Sequence, residues 1–480
     1  MKKLLCATLI LMMGVVMTSS AQDALDRTIR PGASGVPKVD LPDIQKSTLK
    51  NGLNVWLVED HELPLVAFNI VFQTGSDHDP LDKAGLASMT ADVLDEGTKT
   101  RSALQIAEEL DFIGAHLGVN TNTDGSFLTL NCMTKHLDKA LGVYADVLVN
   151  PTFPPSEFNR LQEQRLTGLR QQKDRAATIA SLAFNKIIYG ESHPYGLNAS
   201  GSEESVKRMT RDDLVKFYET YYRPNNATLI VVGDVKMKDV VAKLDPMLAA
   251  WKSDKIPTAS LPPTPTIEKR KLYLIDKPSA PQSEIRIGYP ALARSSPDFF
   301  AVSVANRALG GQFASRLNMN LREKHGYTYG ARSGFSFNKQ PGPFTASAGV
   351  TSTKTDSSVR EFFYEIDRTQ KDGLTAEELE FVKKGLVGNF ALTFETPQQI
   401  AGALQNIVLY NLPENYYETY LQNISKVSLD DVKRVSNKYL DTSKMAVVVV
   451  GDLKVIKDGL AAMNAGEIVV CDVSGNKLSQ

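Results

Sequence analysis

The segment LREKHGYTYG holds two residues that could take part in catalysis, Arg322 and Tyr329, seven positions apart. A guanidinium can hold a carbonyl or a carboxylate through two parallel hydrogen bonds. A fixed phenol hydroxyl can donate a hydrogen bond to an oxyanion that forms on a carbonyl. Taken alone, the pair is better interpreted as a solvated charge at a helix end and a half-buried aromatic on a strand. Their role therefore depends on what the rest of the chain provides.

The histidines do not form the pattern of a zinc site carried by a helix. No histidine has a second one within a helical turn, although two imidazoles on one helix face are the nucleus of such a site. His78, between Asp77 and Asp79 in SDHDP, is the strongest single candidate. We interpret this segment as a solvated loop at a strand end, since charged loops are common there, and His193 in ESHPYG as another loop residue. The sequence therefore predicts no metal ion and no other cofactor bound by this chain.

Two of the three cysteines, Cys132 and Cys471, lie outside the apolar N-terminal segment that contains Cys6. In SFLTLNCMT, Leu128, Leu130 and Cys132 alternate onto one face of a predicted strand, which favours a small buried apolar role for the thiol. The sequence leaves open whether Cys132 and Cys471 are paired.

The first residues have the pattern of a secretory signal peptide. Two lysines precede the apolar run LLCATLILMMGVVM, and Ser19 and Ala21 suit cleavage before Gln22. The run is shorter than the roughly 20 residues that a membrane-spanning helix needs, and no later segment is apolar for long enough. We therefore expect residues 1–21 to be removed, the mature protein to be periplasmic or secreted, and no transmembrane segment to remain.

Two stretches of the chain repeat the same order of features. YYRPNNATLIVVGDV and KYLDTSKMAVVVVGDL each read as a helix end, a turn and a buried strand closed by Gly-Asp. Asp213 corresponds to Asp431 and Asp234 to Asp452, each 218 residues further on. A repeat of this length indicates a duplicated domain, because the units of solenoid proteins run to roughly 20–50 residues.

The helices before these strands also match, as MTRDDLVKFYETYY and VSLDDVKRVSNKYL. Thr210 and Ser428 are the expected N-caps, each followed by a pair of carboxylates in the first helical turn. Strands such as LNVWLVED alternate with long helical patterns such as PSEFNRLQEQRLTGLRQQ, so each copy is expected to have an α+β fold.

Length and composition agree with two globular domains. A chain of 480 residues is too long for one ordinary core, and the proline-rich stretch IPTASLPPTPT reads as a linker. A formal net charge of −1 gives no sign of a nucleic-acid partner. The sequence is predicted to divide into six parts, which are signal peptide 1–21, N-terminal extension 22–44, first domain 45–250, linker 251–270, second domain 271–465 and C-terminal tail 466–480.

Three blocks in the same order resemble the insulinase/pitrilysin-type zinc peptidases, the inverzincins. They are LKNGLNVWLVEDHELPLVAFNIVFQTGSDHDP, YGESHPYGLNASGSEESVKRMTRDDLVKFYETYYRPNNATLIVVGDV and ALGGQFASRLNMNLREKHGYTYG. The resemblance implies two tandem homologous domains, each a mostly antiparallel sheet backed by helices. Together they would form half of a clamshell around a chamber that binds peptides.

The same resemblance locates a metal site whose residues are replaced in this chain. Members that cut peptides carry H-x-x-E-H on a helix, where two histidines bind zinc and the glutamate takes a proton from water. Here the histidine positions hold Ser88 and Asp92, the glutamate position holds Ala91, and the third ligand position, in a later helix, holds Gly168. The first domain is therefore predicted to be a degenerate peptidase domain without its metal.

The resemblance gives Arg322 and Tyr329 the family's roles of holding the substrate backbone and stabilising the oxyanion. Some bacterial relatives divide these groups and the zinc site between two chains. The sequence thus predicts an exported subunit of a heterodimeric zinc metallopeptidase, inactive alone, that supplies Arg322 and Tyr329 in trans for peptide hydrolysis. Its partner would be a paralogous H-x-x-E-H chain that carries the zinc. The alternative is a peptidase-like scaffold or peptide-binding protein with no catalytic role.

Overall fold

Each half of the chain contains one six-stranded sheet, in a computed structural model that describes residues 43–258 and 261–478. In the first sheet the strands run in the order β1-β2-β6-β3-β5-β4, and in the second β12-β7-β11-β8-β10-β9. Both sheets are mixed, with most neighbouring strands antiparallel. The strands are β1 Gln45–Thr48, β2 Asn54–Glu59, β3 Leu65–Phe72, β4 His116–Thr121, β5 Ser126–Met133, β6 Ala227–Gly233, β7 Lys271–Asp276, β8 Gln282–Leu292, β9 Thr328–Phe335, β10 Gly342–Thr351, β11 Ala446–Gly451 and β12 Glu467–Cys471.

Helices connect the strands and cover the sheets. A helical turn at Arg316–Asn318 runs into a π-helical segment, Met319–Lys324, just before β9. The longer helices are α1 Leu86–Val93, α2 Ala103–Phe112, α3 Leu137–Val149, α4 Pro155–Gln172, α5 Ala176–Tyr189, α6 Glu203–Arg208, α7 Arg211–Tyr221, α8 Met237–Met247, α9 Phe299–Leu309, α10 Thr355–Asp372, α11 Ala376–Phe390, α12 Pro397–Tyr410, α13 Tyr416–Lys426, α14 Leu429–Tyr439 and α15 Leu453–Ala462. None of the helices in the described ranges is long and apolar enough to cross a membrane.

The repeated helices begin at the residues that the sequence predicts. Thr210 Oγ1 accepts a hydrogen bond from Asp213 N at the start of α7, and Ser428 Oγ accepts one from Asp431 N at the start of α14. In both helices the aspartate carboxylate also accepts a hydrogen bond from the backbone N–H of the cap residue, which completes a capping box. The predicted N-caps are confirmed.

Each half lends one helix to the sheet of the other half. Helix α5 of the first half packs on β8 and β11, and helix α12 of the second half packs on β3 and β6. In β6, Leu229 and Val231 face the helices of their own half while Ile230 and Val232 face α12. The continuous apolar runs IVV and VVVV in the two repeated strands follow from this exchange, because both faces of these strands are covered.

The expected fold, two tandem α+β domains, is confirmed by these two sheets. The residues assigned to a C-terminal tail, 466–480, include β12, which pairs in parallel with β7 at the edge of the second sheet. The predicted signal peptide, residues 1–21, and residues 22–42 of the predicted extension lie outside the described residues. Cys132 and Cys471 are buried in different sheets, and both are free thiols.

A buried polar cluster joins the β4–β5 turn of the first half to the β9–β10 turn of the second. Asp124, 2% exposed, accepts hydrogen bonds from the Tyr195 hydroxyl and, at 3.0 Å, from the backbone N–H of Lys339. The Lys339 ammonium donates to the carbonyls of Asp124 at 2.6 Å and Gln73 at 2.9 Å. Burial raises the pKa of Asp124 and lowers that of Lys339. We call these residues the Asp124 junction.

A second buried carboxylate holds α9 against α14. The Asp298 side chain, 7% exposed, accepts hydrogen bonds from Arg434 at 2.6 Å, Lys438 at 2.9 Å and Tyr439 at 2.8 Å. Burial alone would raise the pKa of Asp298, but the three donors outweigh burial and lower the pKa to about 2.

We expect Asp298→Asn to lower the free energy of unfolding by about 2 kcal/mol at neutral pH. Because folding lowers the pKa of this carboxyl, its contribution is complete above about pH 4 and is lost as the pH falls through about 2. Urea unfolding at about pH 7 and about pH 2.5 measures the difference. Asp458→Asn, at an exposed position of α15, is the matched control. If Asp298→Asn destabilised the protein equally at both pH values, the lowered pKa of Asp298 would not be the source of the stabilisation.

Candidate functional site

Three of the four positions that the sequence analysis assigns to the family's metal site lie on α1, and the fourth, Gly168, lies on α4. Ser88 is half-buried and Asp92 is exposed, one turn apart, while Ala91 between them is 1% exposed and packs inward. Gly85 is the N-cap residue of α1, and its φ of +94° is a left-handed conformation that glycine adopts without strain. A Cβ on Gly85 would also lie 2.7 Å from the backbone N of Gly201. The turn into α1 is thus tightly fixed.

The guanidinium of Arg165, from α4, takes up the space between these positions. Its Nη2 donates to Ser88 Oγ at 3.2 Å and forms an ion pair with the Asp92 carboxylate. Its Nη1 donates to the Ser200 carbonyl at 3.0 Å, and the side chain is only 13% exposed. Gly168 lies one turn further along α4, with open space where a Cβ would be. The Arg165 side chain is therefore bonded to both residues at the predicted histidine positions, Ser88 and Asp92.

These residues do not fit a zinc ion. Zinc binds imidazole, thiolate and carboxylate ligands, and Asp92 is the single such group among the four positions. That carboxylate is already neutralised by Arg165, whose charge repels a metal cation. Within residues 43–258 and 261–478, no group of three or more histidine, cysteine, aspartate or glutamate side chains is placed to hold a metal ion.

We expect Ser88→His/Asp92→His/Gly168→Glu to bind zinc about tenfold or more weakly than the same variant with Arg165→Gln added. The reason is that the retained guanidinium repels the ion from the rebuilt ligands. Competition with a chelating indicator measures both affinities. Arg170→Gln, on an exposed position of α4, is the control and should change little. Equal affinities with and without Arg165 would contradict this interpretation.

The segment SDHDP is a folded turn rather than the solvated loop that we expected. Asp77 and Asp79 are 6% and 9% exposed. Asp79 accepts hydrogen bonds from the backbone N–H groups of Gly85 at 2.7 Å and Ala87 at 2.8 Å at the start of α1. Burial raises the pKa of Asp79 to about 7, although these amide groups favour its carboxylate. The sequence interpretation was wrong because it could not show that α1 begins against this turn.

His78 and His193 have structural partners. His78 Nδ1 lies 2.6 Å from Asp77 Oδ1, and its ring packs edge-on against Tyr221. His193, 1% exposed, accepts a hydrogen bond at Nδ1 from Tyr195 N at 3.1 Å. Burial lowers the pKa of His193, so the neutral ring is favoured. His193 is a loop residue, as the sequence predicts, and it lies in the core.

Arg322 belongs to the π-helical segment and is held by contacts with its neighbours. Its guanidinium lies 4.7 Å from the centre of the Phe313 ring, and Nε lies 3.3 Å from Glu323 Oε1. The side chain is 37% exposed, so N–H groups remain open to solvent. Phe313 itself is 63% exposed. The sequence analysis did not identify Phe313, although an aromatic residue shortly before an arginine-bearing helix is a detectable signal.

The loop that carries Phe313 is fixed to β9 by close backbone approach. A Cβ on Gly310 would lie 2.3 Å from Ser333 N, and Ser333 N donates to the Gly310 carbonyl at 3.1 Å. Asn318, 4% exposed, links both sides, because Nδ2 donates to the Phe313 carbonyl at 2.8 Å and Oδ1 accepts from Ala331 N at 3.2 Å. Gly310 therefore lies where the backbone of this loop closely approaches the backbone of β9.

Tyr329 lies on β9, the edge strand of the second sheet, and is 89% exposed. Two residues of β9, Tyr329 and Gly330, lie opposite the single residue Gly349 of β10. This arrangement is a β-bulge. Thr328 Oγ1 donates to the Gly349 carbonyl at 2.7 Å and accepts from Gly330 N at 3.0 Å, which fixes the bulge. Bulges redirect side chains and are frequent beside active sites. The half-buried aromatic considered in the sequence analysis is therefore an exposed phenol.

Comparison with known proteins places both halves in one family. The family model described as Insulinase (Peptidase family M16) matches residues 54–191, and the model described as Peptidase M16 inactive domain matches residues 208–386. The crystal structure of a peptidase M16 inactive domain from Pseudomonas fluorescens is similar, with 29% identity and a TM-score of 0.80. That match covers 85% of this chain and 98% of the other.

Two similar proteins come from Helicobacter pylori. One is named a non-peptidase homolog, YmxG, and is 25% identical over 82% of this chain and 91% of its own length. The other is named a zinc protease, PqqE, and is 24% identical over 87% of this chain and 95% of its own length. With its two-sheet fold and both family matches, this chain belongs to the insulinase (M16) peptidase family.

Proposed function

We propose that this protein is the exported, non-metal subunit of a heterodimeric zinc metallopeptidase. In this role it supplies Arg322 and Tyr329 in trans to a paralogous chain that carries H-x-x-E-H and the zinc, and the substrates are peptides. Alone, the chain would hold peptides without cutting them.

One observation carries the proposal, the contrast between the two halves. In the first half, Arg165 closes the old metal position with bonds to Ser88 and Asp92. In the second half, Tyr329 lies on a bulge and is 89% exposed, and the Arg322 side chain is 37% exposed. An exposed phenol on an edge strand gains nothing in packing, so its presentation favours a contact with another molecule.

The side chains fit distinct tasks in peptide hydrolysis. The Arg322 guanidinium, stacked on Phe313, can donate through its remaining N–H groups to a peptide carbonyl and fix the substrate backbone. The Tyr329 hydroxyl can donate to the oxyanion that forms when the scissile carbonyl is attacked. Neither group can activate water, so the chain needs a partner that does.

The comparisons support a divided enzyme. Helicobacter pylori has both a protein named a non-peptidase homolog and one named a zinc protease, and each is similar to this chain over most of its length. Two paralogous chains of this kind could line one chamber from opposite walls. The N-terminal sequence pattern supports export of this chain.

The competing function is a scaffold or peptide-binding protein with no catalytic role, which the non-peptidase relative favours. To distinguish them, the chain is co-purified with its H-x-x-E-H paralogue, with and without Arg322→Ala/Tyr329→Phe. The shared-site proposal predicts an intact complex that no longer cleaves peptides. If the complex with Arg322→Ala/Tyr329→Phe stayed intact and cleaved peptides normally, the shared-site proposal would be wrong and the scaffold function would be favoured.

A further inference from the structure

A second binding site lies in the second half of the chain, in a cavity of about 440 Å³ framed by α11, α12 and α13. Aromatic rings form most of its wall, among them Phe337, Tyr416, Tyr417 and Tyr420. A cavity of this size, with aromatic walls and few polar groups, is the usual form of a small-ligand site. All the residues that line it belong to the second half, so it does not include the positions around Ser88.

Arg294 brings a positive charge into this cavity. Its guanidinium lies 3.8 Å from the centre of the Phe299 ring and 4.8 Å from the centre of the Tyr416 ring. No acidic side chain is found among the described residues that line the cavity. A guanidinium that lies over aromatic faces can still donate through its N–H groups to an acceptor.

The Tyr416 hydroxyl is a buried polar group that lacks a hydrogen-bond partner in the described part of the chain. The side chain is 6% exposed, and a buried hydroxyl without a bond costs free energy. Arg294 lies over the face of this ring, and its positive charge opposes the rise in the Tyr416 pKa that burial causes. A buried hydroxyl beside a guanidinium is an arrangement that suits an anionic acceptor.

We propose that this cavity binds a carboxylate attached to an apolar body, about the size of an aromatic amino acid. The Arg294 fork and the Tyr416 hydroxyl would bond the carboxylate, and the Phe337, Tyr417 and Tyr420 rings would contact the apolar body. An organic cation is the other ligand that aromatic walls favour, but Arg294 already occupies the faces of two rings and would repel it. The carboxylate could belong to a free small acid or to the C-terminus of a peptide.

Calorimetry on the full chain alone tests this site independently of any zinc-bearing partner. The probe is N-acetyl-L-phenylalanine, and its amide is the matched uncharged ligand. We expect the acid to bind and the amide to bind at least about tenfold more weakly, because charge-assisted bonds to the carboxylate are lost. A phenylalanine-ended pentapeptide acid that binds more tightly than the probe would identify a peptide C-terminus, and one that fails to bind would identify a small acid.

Two variants locate the site. Arg294→Gln should weaken the binding of the acid about 10- to 100-fold. Arg360→Gln, at an exposed position of α10, should leave the affinity for the acid unchanged. Tyr416→Phe should weaken the binding of the acid, because it removes one donor to the carboxylate. It should also raise the thermal midpoint of the ligand-free protein, because it removes a buried hydroxyl without a partner. Equal binding of acid and amide, preference for tetramethylammonium, or full binding by Arg294→Gln would overturn the proposal.

Discussion

Replacement of Tyr329 by phenylalanine is expected to lower the turnover of the two-chain peptidase by roughly 10²–10³-fold, the usual effect of losing one oxyanion donor. The change removes a single oxygen from a side chain that is 89% exposed, so the free energy of unfolding should hardly change. Because the bond forms mainly in the transition state, kcat should fall far more than KM rises.

Arg322→Ala provides the contrast in the same kinetic assay. Arg322 would hold the substrate in the ground state, so its loss should also raise KM. Tyr364→Phe, at an exposed position of α10, is the matched hydroxyl control and should keep normal kinetics. Normal turnover in Tyr329→Phe, or a rise in KM alone, would show that this hydroxyl does not act on the oxyanion.

Removal of the Asp124 carboxylate is expected to lower the free energy of unfolding by about 3–5 kcal/mol, the range for breaking a buried charged group away from its partners. Asp124→Ala leaves the Tyr195 hydroxyl and the backbone N–H of Lys339 without their acceptor. The Lys339 ammonium stays buried and loses one of the two carboxylate charges that act on it, those of Asp77 and Asp124.

Urea unfolding measures this loss, with two comparison variants. Asp124→Asn retains an oxygen acceptor and should lose less than Asp124→Ala. Asp174→Ala, exposed after α4, should change the stability within about 0.5 kcal/mol. If Asp124→Ala were no less stable than Asp174→Ala, the junction would not hold the two halves together.

Local sequence patterns predicted the elements that depend on local physics. Thr210 and Ser428 form the caps that their position before paired carboxylates predicts, and the helix α4 follows its sequence pattern. The strand face of Leu128, Leu130 and Cys132 is buried as predicted. In each case a few neighbouring residues determine the outcome.

Contacts between distant segments could not be read in this way. The Arg165–Asp92 pair joins residues 73 positions apart on two helices, so this ion pair could not be predicted from local sequence. The spacing of Arg165 and Gly168, three residues on one helix, was nevertheless a usable signal. The runs of valine and isoleucine in β6 and β11 predicted buried strands but not the exchanged helices that bury them.

The bulge at Tyr329 also could not be predicted from the local sequence pattern. The sequence TYG reads as an ordinary strand, and alternation alone cannot say which face an added residue will take. Pairing with β10 fixes the bulge through Gly349, and this pairing turns the phenol outward.

The stoichiometry of activation tests the central claim most directly. This chain is titrated into a fixed concentration of its H-x-x-E-H paralogue while peptide hydrolysis is followed. The shared-site account predicts a rate near zero for either chain alone and a linear rise that ends at one equivalent of this chain. Full hydrolysis by the paralogue alone, unchanged when this chain is added, would contradict it.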